Sequence, residues 1–171
     1  MQIERRSDDI EAKTRQLGWY LLHSGLLIPT VGAAAAEDGL STGQTVYVPV
    51  YSHIIYGNIH PRLGAPFKLL LSSMLSIRNV DPNHSIMVKS VRYYDTDGKL
   101  LRDDNAARIL DPLASTEVFV EYKDEEGGAG AKFIVVWQAD VPVNPPLIES
   151  VNAHFTGTQL TVFTSRGQPI K

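Results

Sequence analysis

The sequence predicts an all-β protein: an antiparallel β-sandwich of the immunoglobulin or fibronectin type, with about seven strands, behind an N-terminal helical signal segment. Three observations carry this expectation. From Thr45 onward apolar residues recur with period two, not 3.6. Clusters of Gly, Pro, Asn and Asp interrupt these runs at intervals that suit short strands. No segment after Gly43 carries a sustained helical apolar stripe. A small open barrel is the alternative architecture.

Taken in order, the first element is the N-terminal segment. Its polar start holds Glu4, Asp8, Asp9 and Glu11 against Arg5, Arg6, Lys13 and Arg15. A short apolar core from Leu17 to Ile28 follows, then Pro29 and the small-residue run Gly32-Ala33-Ala34-Ala35-Ala36. Apolar core, helix breaker and Ala-x-Ala site are the parts of a secretory signal peptide, expected to be cleaved after Ala36. The apolar stretch is too short for a membrane span, which needs roughly 20 residues. The domain organisation expected is therefore a signal peptide over 1–36, a linker over 37–43 and one β-sandwich domain over 44–171.

The strands follow. In Thr45 to Tyr51, Val46, Val48 and Val50 share one face and Tyr47, Pro49 and Tyr51 the other. Pro49 donates no ladder hydrogen bond, which predicts an edge strand or a bulge. Leu69, Leu71, Ser73, Leu75 and Ile77 share a face. Ile86 and Val88 are out of phase with Val91 and Tyr93, which predicts a bulge near Lys89-Ser90. Val118, Val120 and Tyr122 are expected to face inward, as are Ala131, Phe133, Val135, Trp137 and Ala139. Leu147, Val151, Ala153 and Phe155 supply the next inward set, and Leu160 with Val162 the last. Asp103 to Leu110 is the one place with room for a short helical turn.

Composition narrows the function classes. Of 171 residues, 43% are hydrophobic and 20% charged, and the formal net charge is −3. That balance offers no basic face for nucleic acid. The absence of cysteine excludes disulfides, thiolate metal sites and a thiol nucleophile. Membrane contact is expected only through the transient signal segment.

Several motifs in order resemble one family. Gly43-Gln44-Thr45-Val46-Tyr47-Val48-Pro49-Val50-Tyr51-Ser52-His53-Ile54 opens the series. Leu75-Ser76-Ile77-Arg78-Asn79 with Asp81-Pro82, then Tyr93-Tyr94-Asp95 with Gly98-Lys99-Leu100, continue it. Leu113-Ala114-Ser115, Gly127-Gly128-Ala129-Gly130-Ala131 before Phe133, and Phe163-Thr164-Ser165-Arg166-Gly167 complete it. From Gln44 to Ile170 the chain resembles the bacterial domain-of-unknown-function family numbered thirty-one twenty-four. It departs at Lys132, where asparagine is expected, and in a longer loop at Asn58 to Phe67. The resemblance implies an extracytoplasmic domain without an assigned activity, cofactor or catalytic residue. Asn79-Val80-Asp81-Pro82-Asn83 with Ile86, Val88, Tyr93 and Gly98 also resembles the core hairpin of the water-stress β-sandwich proteins of the late-embryogenesis-abundant class.

Chemistry is sparse. No Gly-x-Ser-x-Gly elbow is present, so the sequence names no catalytic residue. Gly127 to Gly130 lies between two strands and reads as a flexible hairpin, not a phosphate cradle. His53, His60, His84 and His154 lack the spacing of a zinc site. Asp95-Thr96-Asp97-Gly98 begins like a calcium loop, yet Ala106 occupies the position where such a loop ends in glutamate. Asp95 and Asp97 are therefore the candidate metal ligands, with calcium the one conceivable cofactor and turn chemistry the competing reading.

The surface candidates are Tyr47 and Tyr51 on an edge strand, with His53 and Tyr56 beyond. Alternate tyrosines give rigid contact area with a polar tip, and an edge invites an extended partner. The function expected is a periplasmic or secreted interaction module whose partner is another envelope protein or a peptide. The alternative is a small-ligand or calcium-binding accessory protein of the cell envelope, using acidic loops. The oligomeric state is not legible from the sequence.

Overall fold

Twelve strands and no helix make up the described residues, 39–105 and 107–171, of the computed structural model. The expected signal segment lies outside them. Asp38–Lys171 forms one compact unit, and every strand pair is antiparallel.

The first sheet has the order β12-β1-β9-β5-β6, with β7 also on β5. Its strands are β1 (Ser41–Pro49), β5 (Ile86–Tyr94), β6 (Leu100–Asp104), β7 (Arg108–Leu110), β9 (Lys132–Val143) and β12 (Gln168–Ile170). The second has the order β11-β10-β4-β8. It is built from β4 (Ser72–Arg78), β8 (Ser115–Val120), β10 (Leu147–Thr156) and β11 (Gln159–Arg166). A separate hairpin pairs β2 (His53–Tyr56) with β3 (Phe67–Leu70).

The two larger sheets share one hydrophobic cluster. Val46, Val48, Val88, Val91, Tyr93, Phe133, Val135 and Trp137 come from the first, and Leu75, Ile77, Val120 and Ile148 from the second. Each such fully buried side chain contributes about 1.5–3 kcal/mol. The alternation in β9 reads directly into this core: Phe133, Val135 and Trp137 are buried while Ile134 and Val136 are half-buried. The phase change in β5 is a register shift between Val88 and Ser90 against β9, at the predicted place.

Several expectations are corrected. The single run Leu69 to Ile77 breaks at Leu71, whose amide leaves the β ladders to donate to the Ser52 carbonyl at 2.8 Å. Where a helical turn was expected, Asp103 and Asp104 end β6 and Arg108 to Leu110 form β7, because both strands find partners on β5. Tyr122 is exposed; it lies past the end of β8, its ring centroid 5.6 Å from that of His154. The largest difference is in β10. Ile148, Ser150, Asn152 and His154 are its buried set, while Leu147, Val151 and Ala153 are half-buried and Phe155 is exposed. Leu160 and Val162 of β11 are exposed as well.

Hydrogen bonds replace hydrophobicity as the reason for this inversion. Ser150 Oγ donates to the Pro49 carbonyl at 2.5 Å, and Asn152 Nδ2 donates to Ser150 Oγ. Asn152 Oδ1 accepts from Ser73 Oγ at 2.8 Å and from the Tyr51 amide at 3.2 Å. These groups of the second sheet receive the chain where it leaves β1 for the β2–β3 hairpin, and satisfied polar groups can be buried at small net cost. The last passage from the second sheet to the first is at Gly167, between β11 and β12. Its amide donates to the Ile148 carbonyl at 2.8 Å. A Cβ there would lie 2.7 Å from Val46 Cγ1 and 2.9 Å from the Ile148 oxygen, so only glycine fits.

Candidate functional site: the β2–β3 arm

The sequence-predicted tyrosine stripe does not form as one surface. β1 is flanked by β9 and, over Thr45 to Tyr47, by β12, so it is not the edge strand expected. Val50 donates to Ala131 on the β9 side, which turns the Pro49 nitrogen toward the side where β12 has already ended. Tyr47 is half-buried on the outer face of the first sheet. Tyr51 lies past the crossing, its ring edge-on to Phe163 at 5.5 Å.

His53 and Tyr56 are on the arm, and here side chains do gather. In the β2–β3 register Tyr56 pairs with Phe67, and Ile55 with Lys68. The Tyr56 and Phe67 rings are 5.7 Å apart, and His60 meets Phe67 edge-on at 5.8 Å. Gly57 turns the chain at φ 73°, against the Phe67 ring. Beyond it the His60 carbonyl accepts from the Leu63 and Gly64 amides, closing the tip. Ile55, Tyr56, Ile59, Leu63 and Phe67 are all exposed, Ile59 at 61% and Leu63 at 70%.

A two-stranded hairpin alone is marginal in water, and the arm is anchored at its base. Leu71 bonds to Ser52, Ser52 Oγ donates to the Gly128 carbonyl, and Lys68 pairs with Glu125 at 2.8 Å. Burial, followed by the nearby Lys68 ammonium, lowers the His53 imidazole from its usual range, with Glu125 pulling the other way. The Lys68 hydrogen bond lowers the Glu125 carboxyl in turn.

The acidic turn is arranged differently. Asp95 Oδ1 accepts from the amides of Asp97 and Lys99 at 3.0 and 2.8 Å, so the carboxylate shapes its own turn. Lys132 Nζ donates to the Asp95 and Thr96 carbonyls, closing that turn from β9. Among the described residues no group of three or more His, Cys, Asp or Glu side chains stands together as a metal site. The glycine run is bonded to the acidic turn: Thr96 donates to Gly127 O through its amide and its hydroxyl, and Gly130 donates to Thr96 Oγ1. A Cβ on Gly127 would collide with the Tyr93 hydroxyl. Burial, and after it the Asp124 carboxylate, pushes that phenol up to about 12.

Sequence reasoning missed Ile55, Ile59, Leu63 and Phe67. For Ile59, Leu63 and Phe67 the signal was the longer loop at Asn58 to Phe67; Ile55, on β2, had none.

Two antiparallel sheets on one core, with an aromatic hairpin at one end, define an all-β domain. The chain belongs to the protein family of unknown function DUF3124, whose model matches residues 43–170. No curated protein matches the chain. One solved structure, the crystal structure of Thermotoga maritima 1070, is similar at 12% identity with a TM-score of 0.41, over 75% of this chain and 96% of that one.

Proposed function

We propose that this chain is an extracytoplasmic interaction module of the immunoglobulin or fibronectin sandwich type. It takes hold of another envelope protein through the β2–β3 arm. The observation that carries this reading is the exposure of Ile55, Tyr56, Ile59, Leu63 and Phe67 together on one anchored hairpin. Aromatic and aliphatic side chains held on a strand pair and on the hydrogen-bonded tip that joins it are suited to fill an apolar cleft, and less ordering entropy is spent on binding. From His53 to Leu70 the arm has Arg62 and Lys68 and no carboxylate, so an acidic rim on the partner suits it. Export rests on the sequence of residues 1–36.

The test is capture of the partner from the native envelope by crosslinking. Tyr56→Ser combined with Leu63→Ser should abolish capture and leave the melting temperature unchanged. Undiminished capture sinks the role of the arm. Export is checked at the N-terminus of protein made in a bacterial host: a start at Glu37 supports it, and an intact Met1 in the cytoplasm overturns it.

A further inference from the structure

The second sheet carries its apolar period on the wrong side for a sheet with only one partner. β10 sends Val151, Ala153 and Phe155 outward, and β11 adds Leu160 and Val162 on the same face through the pairs Phe155–Leu160 and Ala153–Val162. Met74 and Phe119 continue that face on β4 and β8, paired in line with Val151. Phe155 is 70% exposed and Phe119 58%. An outward stripe of large apolar side chains spanning four strands marks a face that another layer covers.

Charge indicates what that layer is. One rung crosses the same face from edge to edge: Arg166 on β11, Glu149 on β10, Ser76 on β4, Glu117 on β8. Arg78 donates from Nε to Ser76 Oγ at 3.0 Å, placing its guanidinium over the β4 position. The row therefore reads positive, negative, positive, negative. A half-turn about an axis parallel to the strands lays β11 over β8 and β10 over β4, with each rung at its own height. Every charge in the row then meets its opposite, and Val151 comes to lie over Met74. Self-complementarity under a two-fold axis is what an isologous interface requires, and aligned packing of two sheets is an ordinary way to bury such faces.

We infer that the outer face of the second sheet binds the same face of a second copy of this chain. This interface does not involve the arm and stands independently of the proposed function.

The experiment is light scattering and sedimentation equilibrium on the full chain from roughly 1 to 100 µM. The unchanged protein should be dimeric at the upper end. Glu117→Arg should weaken association by roughly tenfold or more, because it places two cations face to face. Glu117→Arg with Arg166→Glu should recover most of that loss. Val162→Lys, at a half-exposed position, should give a monomer with an unaltered melting temperature, and it decides the matter should the charge variants fold poorly. A monomer throughout the range overturns the inference. So does a dimer indifferent to Val162→Lys, or a double variant no better than the single one.

Discussion

Asp81 is a buried carboxylate that does its work entirely within the fold. Its Oδ1 accepts from the amides of Asn83 and His84 and from His84 Nδ1, and its Oδ2 from the amide and side chain of Asn144. Asn79, equally buried, holds the Asp81 amide with its oxygen and shares its Nδ2 among the carbonyls of His84, Leu110 and Asp111. The amides of Asn144 and Asn83, in that order, hold the Asp81 carboxyl well below the usual carboxylate range. The folded value lies under the unfolded one of about 3.9. The resulting stabilisation is therefore complete above about pH 4 and is lost as pH falls further toward the folded value. Urea midpoints measured from pH 7 to pH 2 should drop in the acid range, and Asp81→Asn should lower the neutral-pH midpoint and flatten that drop. In the sequence, Asn79 to Asn83 was legible as a turn. Its burial was not, because the donors on Asn144 and the acceptors on Leu110 and Asp111 lie far away along the chain.

At the scale of the element, β9 and β10 show where periodicity succeeds and where it fails. In β9 the aromatic side chains Phe133 and Trp137 face the core with Val135 while Ile134 and Val136 stand opposite, so the placing of the largest side chains gives both strand and face. In β10 the strand was legible, but its faces were reversed. Hydrophobicity assigns Val151 and Ala153 to the interior, whereas Ser150 and Asn152 hold it by bonding to Pro49 and Tyr51 across the sheets. The same blindness hid the arm: its base is fixed by Leu71 and Gly128, neither of which breaks a pattern in the sequence. Asn152→Ala should strand the Tyr51 amide without its acceptor and leave Ser73 Oγ only the Tyr51 carbonyl, at a cost of about 1–3 kcal/mol. Chemical denaturation would show it. A loss below the range of an ordinary surface substitution would mean that the polar cluster does not hold the strand.

For the whole molecule, two junctions near β10 are held in different ways, at Val50 to Ser52 and at Gly167. The first rests on hydrogen bonds and the second on the want of a side chain. Gly167→Ala should force Val46, Val48 and the Ile148 carbonyl away from position 167 and cost about 1–3 kcal/mol in a melting experiment. The family motif that ends in Gly167 thus marks a junction between layers. The inverted strand also bears on how the chain reaches this state. A one-residue slip of β10 would carry Val151, Ala153 and Phe155 into the interior, which simple collapse favours. The native alignment gains its advantage only after Pro49 and Tyr51, about a hundred residues earlier in the chain, have arrived. Until then the collapsed chain has an attractive wrong answer, and the time needed to unpick it sets a natural brake on folding.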